Sequence, residues 1–168
     1  MKALVIYDSL YGNTEKVARA VAGALASAAT VEVRRVGEVA PDTLGPVDLL
    51  IIGSPTQGFR PTKGVTDFLK RLSAGSLSGL RAVAFDTRFE AAKMQSGALR
   101  LLIKTGGYAA PRIGEGVKKA GGTLVLPPEG FYVDDKEGPL KAGELDRAAA
   151  WAKSVLQAGQ GEPLEGLV

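Results

Sequence analysis

Six residues near the N-terminus, Ser9-Leu10-Tyr11-Gly12-Asn13-Thr14, bring together hydroxyls, an amide and a glycine between two apolar patterns. The run Val5-Ile6-Tyr7 stops at Asp8, and an alanine-rich segment with helical periodicity starts at Thr14. Strand, polar turn and helix in that order set unpaired backbone amides and hydroxyls at the positive end of a helix, which is anion-binding chemistry. A phosphate suits such a turn. The same residues also read as an ordinary helix start, with Asn13 or Thr14 as cap and Gly12 at positive φ.

Two further polar stretches follow apolar runs. Ser54-Pro55-Thr56-Gln57-Gly58-Phe59-Arg60-Pro61 comes after Asp48-Leu49-Leu50-Ile51-Ile52-Gly53, and Asp86-Thr87-Arg88-Phe89 comes after Ala82 to Phe85. If the three runs are parallel strands of one sheet, all three polar stretches emerge at the same edge. Ligands on such sheets bind beyond the carboxyl ends of the strands, at the topological switch point.

Composition narrows the chemistry. The 168 residues include no cysteine and no histidine, which excludes disulfides, thiolate and imidazole metal sites, cysteine nucleophiles and a Ser-His-Asp triad. The polypeptide alone brings little reactive chemistry. The net charge is +3 but unevenly spread: Lys93 to Lys119 holds six Lys or Arg against the single Glu115, and Glu129 to Val168 holds eight acids against four bases. A basic face of this kind steers acidic partners or reflects a solvated helix surface. Aromatic and basic residues are not interleaved as a nucleic-acid platform requires, so no nucleic acid is expected. The first strand begins within two residues of Met1, leaving no room for a signal peptide. No apolar run approaches the ~20 residues that span a bilayer. A soluble, cytoplasmic protein with no membrane partner is the expectation.

The elements that must position the polar stretches follow from periodicity. Ala3 to Tyr7 reads as a central strand buried on both faces. Val17, Val21, Ala24 and Ala28 recur on one face of a helix from Thr14. Thr30 to Val36 alternates as an edge strand, and Gly37 to Pro46 is a connection with one helical turn after Asp42. After the Asp48 to Gly53 strand, Val65, Phe68, Leu69 and Leu72 mark a second helix. Glu90 to Ala120 reads as a helix through Met94, Ala98 and Leu101, a break at Gly106-Gly107, and a helix through Ile113 and Val117. Gly122 to Leu126 is the last strand, interrupted by Pro127-Pro128-Glu129-Gly130 and resumed at Phe131-Tyr132-Val133. A final helix over 143–157 turns Leu145, Ala149, Ala152 and Leu156 inward with Trp151 partly packed. The result is one domain over 1–157, followed by a flexible tail over 158–168. Its class is α/β, a three-layer doubly wound sandwich on a five-stranded parallel sheet of order 2-1-3-4-5.

At this level the chain resembles the flavodoxin family over nearly its whole length. That family's phosphate loop has the pattern T/S-x-T-G-x-T, and Ser9-Leu10-Tyr11-Gly12-Asn13-Thr14 is similar to it with Tyr11 in the place of the middle Thr. Gly53-Ser54-Pro55-Thr56-Gln57-Gly58 resembles the loop flanking the isoalloxazine. The resemblance implies FMN as cofactor, with Ser9, Thr14, the intervening amides and Thr56 on its phosphate. Leu10, Tyr11, Gly12 and Asn13 complete the first loop, and Pro55, Thr56, Gln57, Gly58 and Phe59 form the second. Gly58 matches the glycine whose peptide turns its carbonyl towards flavin N5–H on reduction, and Asp86, Thr87, Arg88 and Phe89 approach the pyrimidine edge and outer face.

Departures bear on the detail. Gln57 stands where many members have an aromatic, leaving Phe59 as the nearest stacking candidate. Asp86 to Phe89 replaces a glycine-rich acidic loop. For Phe89 and Tyr108, cover of the outer ring face competes with packing into the core. The slightly basic chain also differs from strongly acidic carriers. Arg60, Lys63 and Arg88 in or beside the loops imply a hydroquinone couple less negative than in acidic relatives, unless these side chains simply reach into solvent.

The function implied is electron transfer, with no catalytic residue of the chain's own expected and with the redox partner and oligomeric state left unspecified. The alternative is a flavin-dependent NAD(P)H:quinone-type oxidoreductase, with residues of the 90s to 110s forming a substrate pocket. A flavin-free binding protein of the same fold is a third reading. A phospho-receiver fails on position: Asp8 is alone after the first strand, and Gly53-Ser54 stands where the phosphorylated Asp belongs.

Overall fold

The computed structural model describes residues 1–90, 96–98, 100–101 and 107–160. In β1 (Lys2–Tyr7) the buried residues divide by parity: Ala3, Val5 and Tyr7 join one apolar cluster, Leu4 and Ile6 another on the opposite face. β3 (Leu49–Pro55) is buried throughout and splits the same way. A strand apolar at every position is one covered by helices on both sides. Ile6, Ile51 and Ile52 are fully buried, each contributing about 1.5–3 kcal/mol relative to exposure.

β2 (Thr30–Arg35), with its charged alternation, is the partly exposed edge strand and pairs with β1. β4 (Arg81–Arg88) pairs with β3 from Leu49↔Arg81 to Pro55↔Thr87. The last strand comes in two pieces, β5 (Thr123–Leu124) and β6 (Glu129–Tyr132), both parallel to β4. Between them lie Pro127 and Pro128, which have no N–H for a ladder. Among the described residues these strands all pair in parallel, in the order β2-β1-β3-β4-β5, with β6 beside β4. This is the doubly wound, three-layer architecture expected. α1 (Asn13–Leu25) and α4 (Glu144–Ala158) cover the face of Val5 and Ile51, and α2 (Lys63–Arg71) and α3 (Ala109–Lys119) cover that of Ile6 and Ile52.

Several boundaries differ from the sequence expectation. β4 continues through Asp86, Thr87 and Arg88, because β6 offers partners as far as Arg88↔Tyr132. β6 resumes at Glu129, two residues before the expected Phe131. The helical turn of the 36–46 connection is a 3-10 turn at Val36–Glu38, ahead of Asp42. α1 stops at Leu25, which takes the last buried position while Ala28 is exposed. α4 buries Glu144, Ala148, Ala152 and Val155 and leaves Leu145 exposed, a face rotated from the expected one. Met94, Gly106 and residues 161–168 of the expected tail lie outside the described residues.

Two contacts fix how the layers meet. Phe85, Phe131 and Trp151 form an edge-to-face trio with centroids 5.9 to 6.2 Å apart, joining β4, β6 and α4. The ring of Phe85 also lies against Gly53, where a Cβ would stand 2.1 Å from Cζ, so no larger residue fits there.

Glu144 explains the rotation of α4. Its carboxylate accepts from the Tyr132 amide at 2.7 Å and from Arg147 Nε and Nη2 at 2.9 and 2.7 Å, pinning the helix start to β6. Burial works to raise this carboxyl, and the bonds from Arg147 and Tyr132 outweigh it, holding it below its ordinary value. A carboxyl more acidic folded than unfolded stabilises above the unfolded pKa, and loses that contribution as pH falls through the folded one. Glu144→Gln is expected to lower stability by about 1 kcal/mol near neutrality, with the gap to the parent narrowing in acid, as pH falls below the ordinary range of a glutamate. Urea unfolding near neutrality and in acid measures this; a gap independent of pH would contradict it.

Candidate functional site

The first polar loop starts from a carboxylate. Asp8 directly follows β1, and its Oδ1 accepts from the Ser9 amide at 2.9 Å and from Arg35 Nη1 at 3.3 Å; its Oδ2 accepts from the Thr62 hydroxyl at 2.6 Å. Arg35 Nη1 also donates to the Ser9 carbonyl at 3.0 Å. The chain then turns at Gly12, with φ +88° and its amide donating to Ser9 Oγ at 3.1 Å. Gly12 occupies the cap position without a side-chain cap, so neither Asn13 nor Thr14 caps the helix. The first helical bond runs from Lys16 N to Gly12 O at 3.1 Å. Among the described residues, nothing accepts from the amides of Asn13, Thr14 and Glu15. Three donors at the positive end of a helix stand open to an anion. Thr14 Oγ1 lies 2.8 Å from Thr87 Oγ1, both buried, so one hydroxyl of the pair keeps its proton for a ligand.

The second loop is a tight hairpin. Gln57 N donates to Arg60 O at 2.8 Å and Arg60 N to Gln57 O at 3.1 Å, with Gly58 at φ +52° and Phe59 at φ +67° between them. Two consecutive left-handed residues are what a type I′ turn requires. Phe59 is the only described non-glycine residue at positive φ, and a bulky side chain there carries backbone strain of about 1–3 kcal/mol. Below the hairpin, Ser54 Oγ accepts from the Thr62 amide at 3.0 Å.

At the end of β4, Asp86 is fully buried. It takes a two-pronged bond from Arg88 at 2.6 and 2.9 Å and one from the Ala110 amide at 2.8 Å, at the start of α3. Burial pushes the Asp86 carboxyl up, while Arg88 and the Ala110 amide pull the other way. The Arg88 guanidinium also lies 3.7 Å from the centroid of the Tyr108 ring. Thr56 Oγ1 accepts from the Ala109 amide at 3.1 Å, tying the second loop to the same helix start.

These three segments enclose a cleft of about 290 Å³. Ser9, Leu10, Tyr11, Asn13 and Thr14 line it from the first loop and Pro55, Thr56, Gln57, Gly58 and Phe59 from the second. Thr87, Arg88 and Phe89 line it from β4. Gly12 and Asp86 were expected there and do not line it: Gly12 makes the turn and Asp86 faces away into its buried pairing. Tyr108 lines the cleft and Phe89 is exposed at its edge, so neither belongs to the core. Val133 and Lys136 also line it and carry no sequence signal, since a loop from the far end of the sheet delivers them.

The cations expected to tune a flavin disperse. Arg88 is paired with Asp86, and Lys63 sits 2.5 Å from Asp67 on the exposed surface of α2. Arg60 lines a separate groove between α2 and α3. Among the described residues no helix is long and apolar enough to cross a membrane, and no cluster of acidic residues could hold a metal.

The model of the flavodoxin domain family matches residues 4–105. A protein named NAD(P)H dehydrogenase (quinone) from Azorhizobium caulinodans is 37% identical over 109 residues, 50% of this chain and 55% of its own. One of the same name from Acidovorax ebreus is 35% identical over 109 residues, with shares of 50% and 54%. The chain thus spans about half the length of these relatives. Oxidised flavodoxin 1 of Bacillus cereus superposes with a TM-score of 0.73 at 19% identity, covering 94% of this chain and 98% of the other. Rubredoxin oxygen:oxidoreductase from Desulfovibrio gigas gives 0.70 at 19%, covering 95% of this chain and 36% of its own. Both share the fold.

The geometry makes Asp8 the link between the first two loops. Asp8→Ala is expected to cost about 2–3 kcal/mol in urea unfolding, since it strips the Thr62 hydroxyl and the Ser9 amide of a charged acceptor. An unchanged midpoint would contradict that role.

Proposed function

We propose that this chain, which belongs to the flavodoxin domain family, holds FMN in the cleft between its polar loops and carries electrons to and from a partner molecule. The observation that carries the reading is the set of open amides of Asn13, Thr14 and Glu15 beside the buried Thr14–Thr87 hydroxyl pair, at one end of a cleft walled by Tyr11, Phe59 and Phe89. A dianionic phosphate fits the polar end and a flat aromatic ring system fits the apolar one. FMN, when bound, supplies reversible uptake of one or two electrons.

The chain's own residues bind, orient and exclude water. The α1 amides and the hydroxyl pair take the phosphate with donors that are already in place. The paired ends of the Gln57–Arg60 hairpin hold Gly58 and Phe59 at the cleft wall, and Gly58 has no Cβ to obstruct a change of its peptide. Arg88, held by Asp86 and stacked on Tyr108, closes the β4 end as a neutral unit. Leu10, Tyr11 and Phe89 leave an apolar rim exposed, which suits contact with a redox partner.

A second reading, direct oxidation of NAD(P)H by a quinone, is favoured by the names of the relatives, which match this chain over about half of their length. Purified protein is expected to show a flavin spectrum or to quench the fluorescence of added FMN, and Thr14→Val to weaken binding about tenfold. A protein that neither carries nor quenches FMN ends the reading. If FMN binds, NAD(P)H consumption with a soluble quinone at enzymic turnover would assign the reductase activity instead of the carrier.

A further inference from the structure

We propose that Lys136, delivered over the start of α1 by the loop between β6 and α4, is a phosphate-binding residue of this cleft and gives it preference for FMN over riboflavin. The proposal deepens the FMN reading and rests on it.

The position of Lys136 is built by contacts far apart in sequence. The Asn13 side-chain amide donates to the Glu137 carbonyl at 3.0 Å, across 124 residues. Asn13 also packs on Gly138, where a Cβ would stand 2.6 Å from Asn13 Nδ2, so the loop lies directly on the first helical residue. The loop is closed on itself: Gly138 N donates to Asp135 O at 3.0 Å, Asp134 N to Pro139 O at 2.9 Å, and Lys141 N to Tyr132 O at 2.9 Å. The Lys136 amide donates to Asp135 Oδ1 at 2.7 Å. The loop carrying Lys136 is therefore held on Asn13, the first residue of α1, and Lys136 lines the cleft together with Ser9, Asn13 and Thr14.

Charge selects this lysine. The other cation lining the cleft, Arg88, is spent on Asp86 and Tyr108. Arg35, near the first loop, is spent on Asp8, the Ser9 carbonyl and Glu15. Among the described residues, the Lys136 ammonium has no partner. A compact ammonium on a flexible stem is a point-charge phosphate binder, and it adds to amides that already favour an anion. The acids of the same loop have their own roles or outlooks: Asp135 accepts the Lys136 amide, and Asp134 and Glu137 are exposed. Riboflavin has the ring system of FMN without the phosphate, so the pair of ligands isolates the contact.

The test is fluorescence titration of flavin-free protein with FMN and with riboflavin, for the parent, Lys136→Gln and Lys136→Arg. Lys136→Gln is expected to bind FMN roughly tenfold more weakly with riboflavin unchanged, and Lys136→Arg to stay within about threefold of the parent. The salt dependence of FMN binding is expected to be shallower in Lys136→Gln. Unchanged FMN affinity in Lys136→Gln, or an equal loss for riboflavin, overturns the role of the lysine while FMN binding by the parent stands. A parent that binds neither flavin overturns the cofactor reading and the lysine's role with it. Lys136 is exposed, so both variants are expected to keep the parent's circular dichroism.

Discussion

The carboxylate of Asp8 sets the distance between the two central loops. Its acceptors hold a donor from each of three elements: the Ser9 amide of the first loop, the Arg35 guanidinium at the end of β2, and the Thr62 hydroxyl at the start of α2. Thr62 then fixes the second loop from below, its amide bound to Ser54 Oγ and its Oγ1 capping α2 through Val65 N. A negative group under an anion-binding turn repels the ligand unless it is compensated. Arg35 compensates it, bridging to the Ser9 carbonyl at the same time.

The same solution recurs at the other end of the cleft. Asp86 is buried at the end of β4, and its charge is absorbed by Arg88 and the amide at the start of α3. Both carboxylates at the carboxyl edge of the central strands are thus turned inward as structural acceptors. Apart from Lys136 and the paired Arg88, what faces the cleft is a set of neutral donors and apolar rings, with Phe59 held in a strained conformation by the two backbone bonds on either side of its turn. Strain at that point is tolerated because the flanking residues are paired, leaving the hairpin little freedom to relax it.

Much of this was legible in the sequence. Buried strands announce themselves as unbroken apolar runs, so β1 and β3 and the loops leaving them were placed correctly. Polar residues mislead where they satisfy each other: Asp86, Thr87 and Arg88 read as a loop, yet they continue β4, since Asp86 and Arg88 neutralise one another and β6 supplies the ladder. Glu144 misled likewise, a charged residue in the buried position expected of Leu145, because Arg147 and the Tyr132 amide meet it there. Counting charges near the loops does not show where those charges are spent, for a related reason. Arg88, Lys63 and Arg60 are close in sequence to the cleft, and their charges are respectively paired, exposed elsewhere and turned to another groove. Val133 and Lys136 were invisible because a loop packed on Asn13 brings them in, and no local pattern encodes that contact.

The absence of histidine and cysteine from the sequence has a consequence for how such a cleft handles protons. No side chain whose ordinary pKa lies near neutrality is available to line it. The acid nearest the β4 end, Asp86, is sealed beneath Arg88 and does not reach the cleft. Among the described residues, the lining of the cleft includes no carboxyl group. A catalyst that reduces a bound organic substrate gains rate from a placed proton donor, whereas a carrier that only stores and passes electrons does not need one. The described lining residues offer a ligand hydroxyls, the rings of Tyr11, Phe59 and Phe89, and the exposed Lys136.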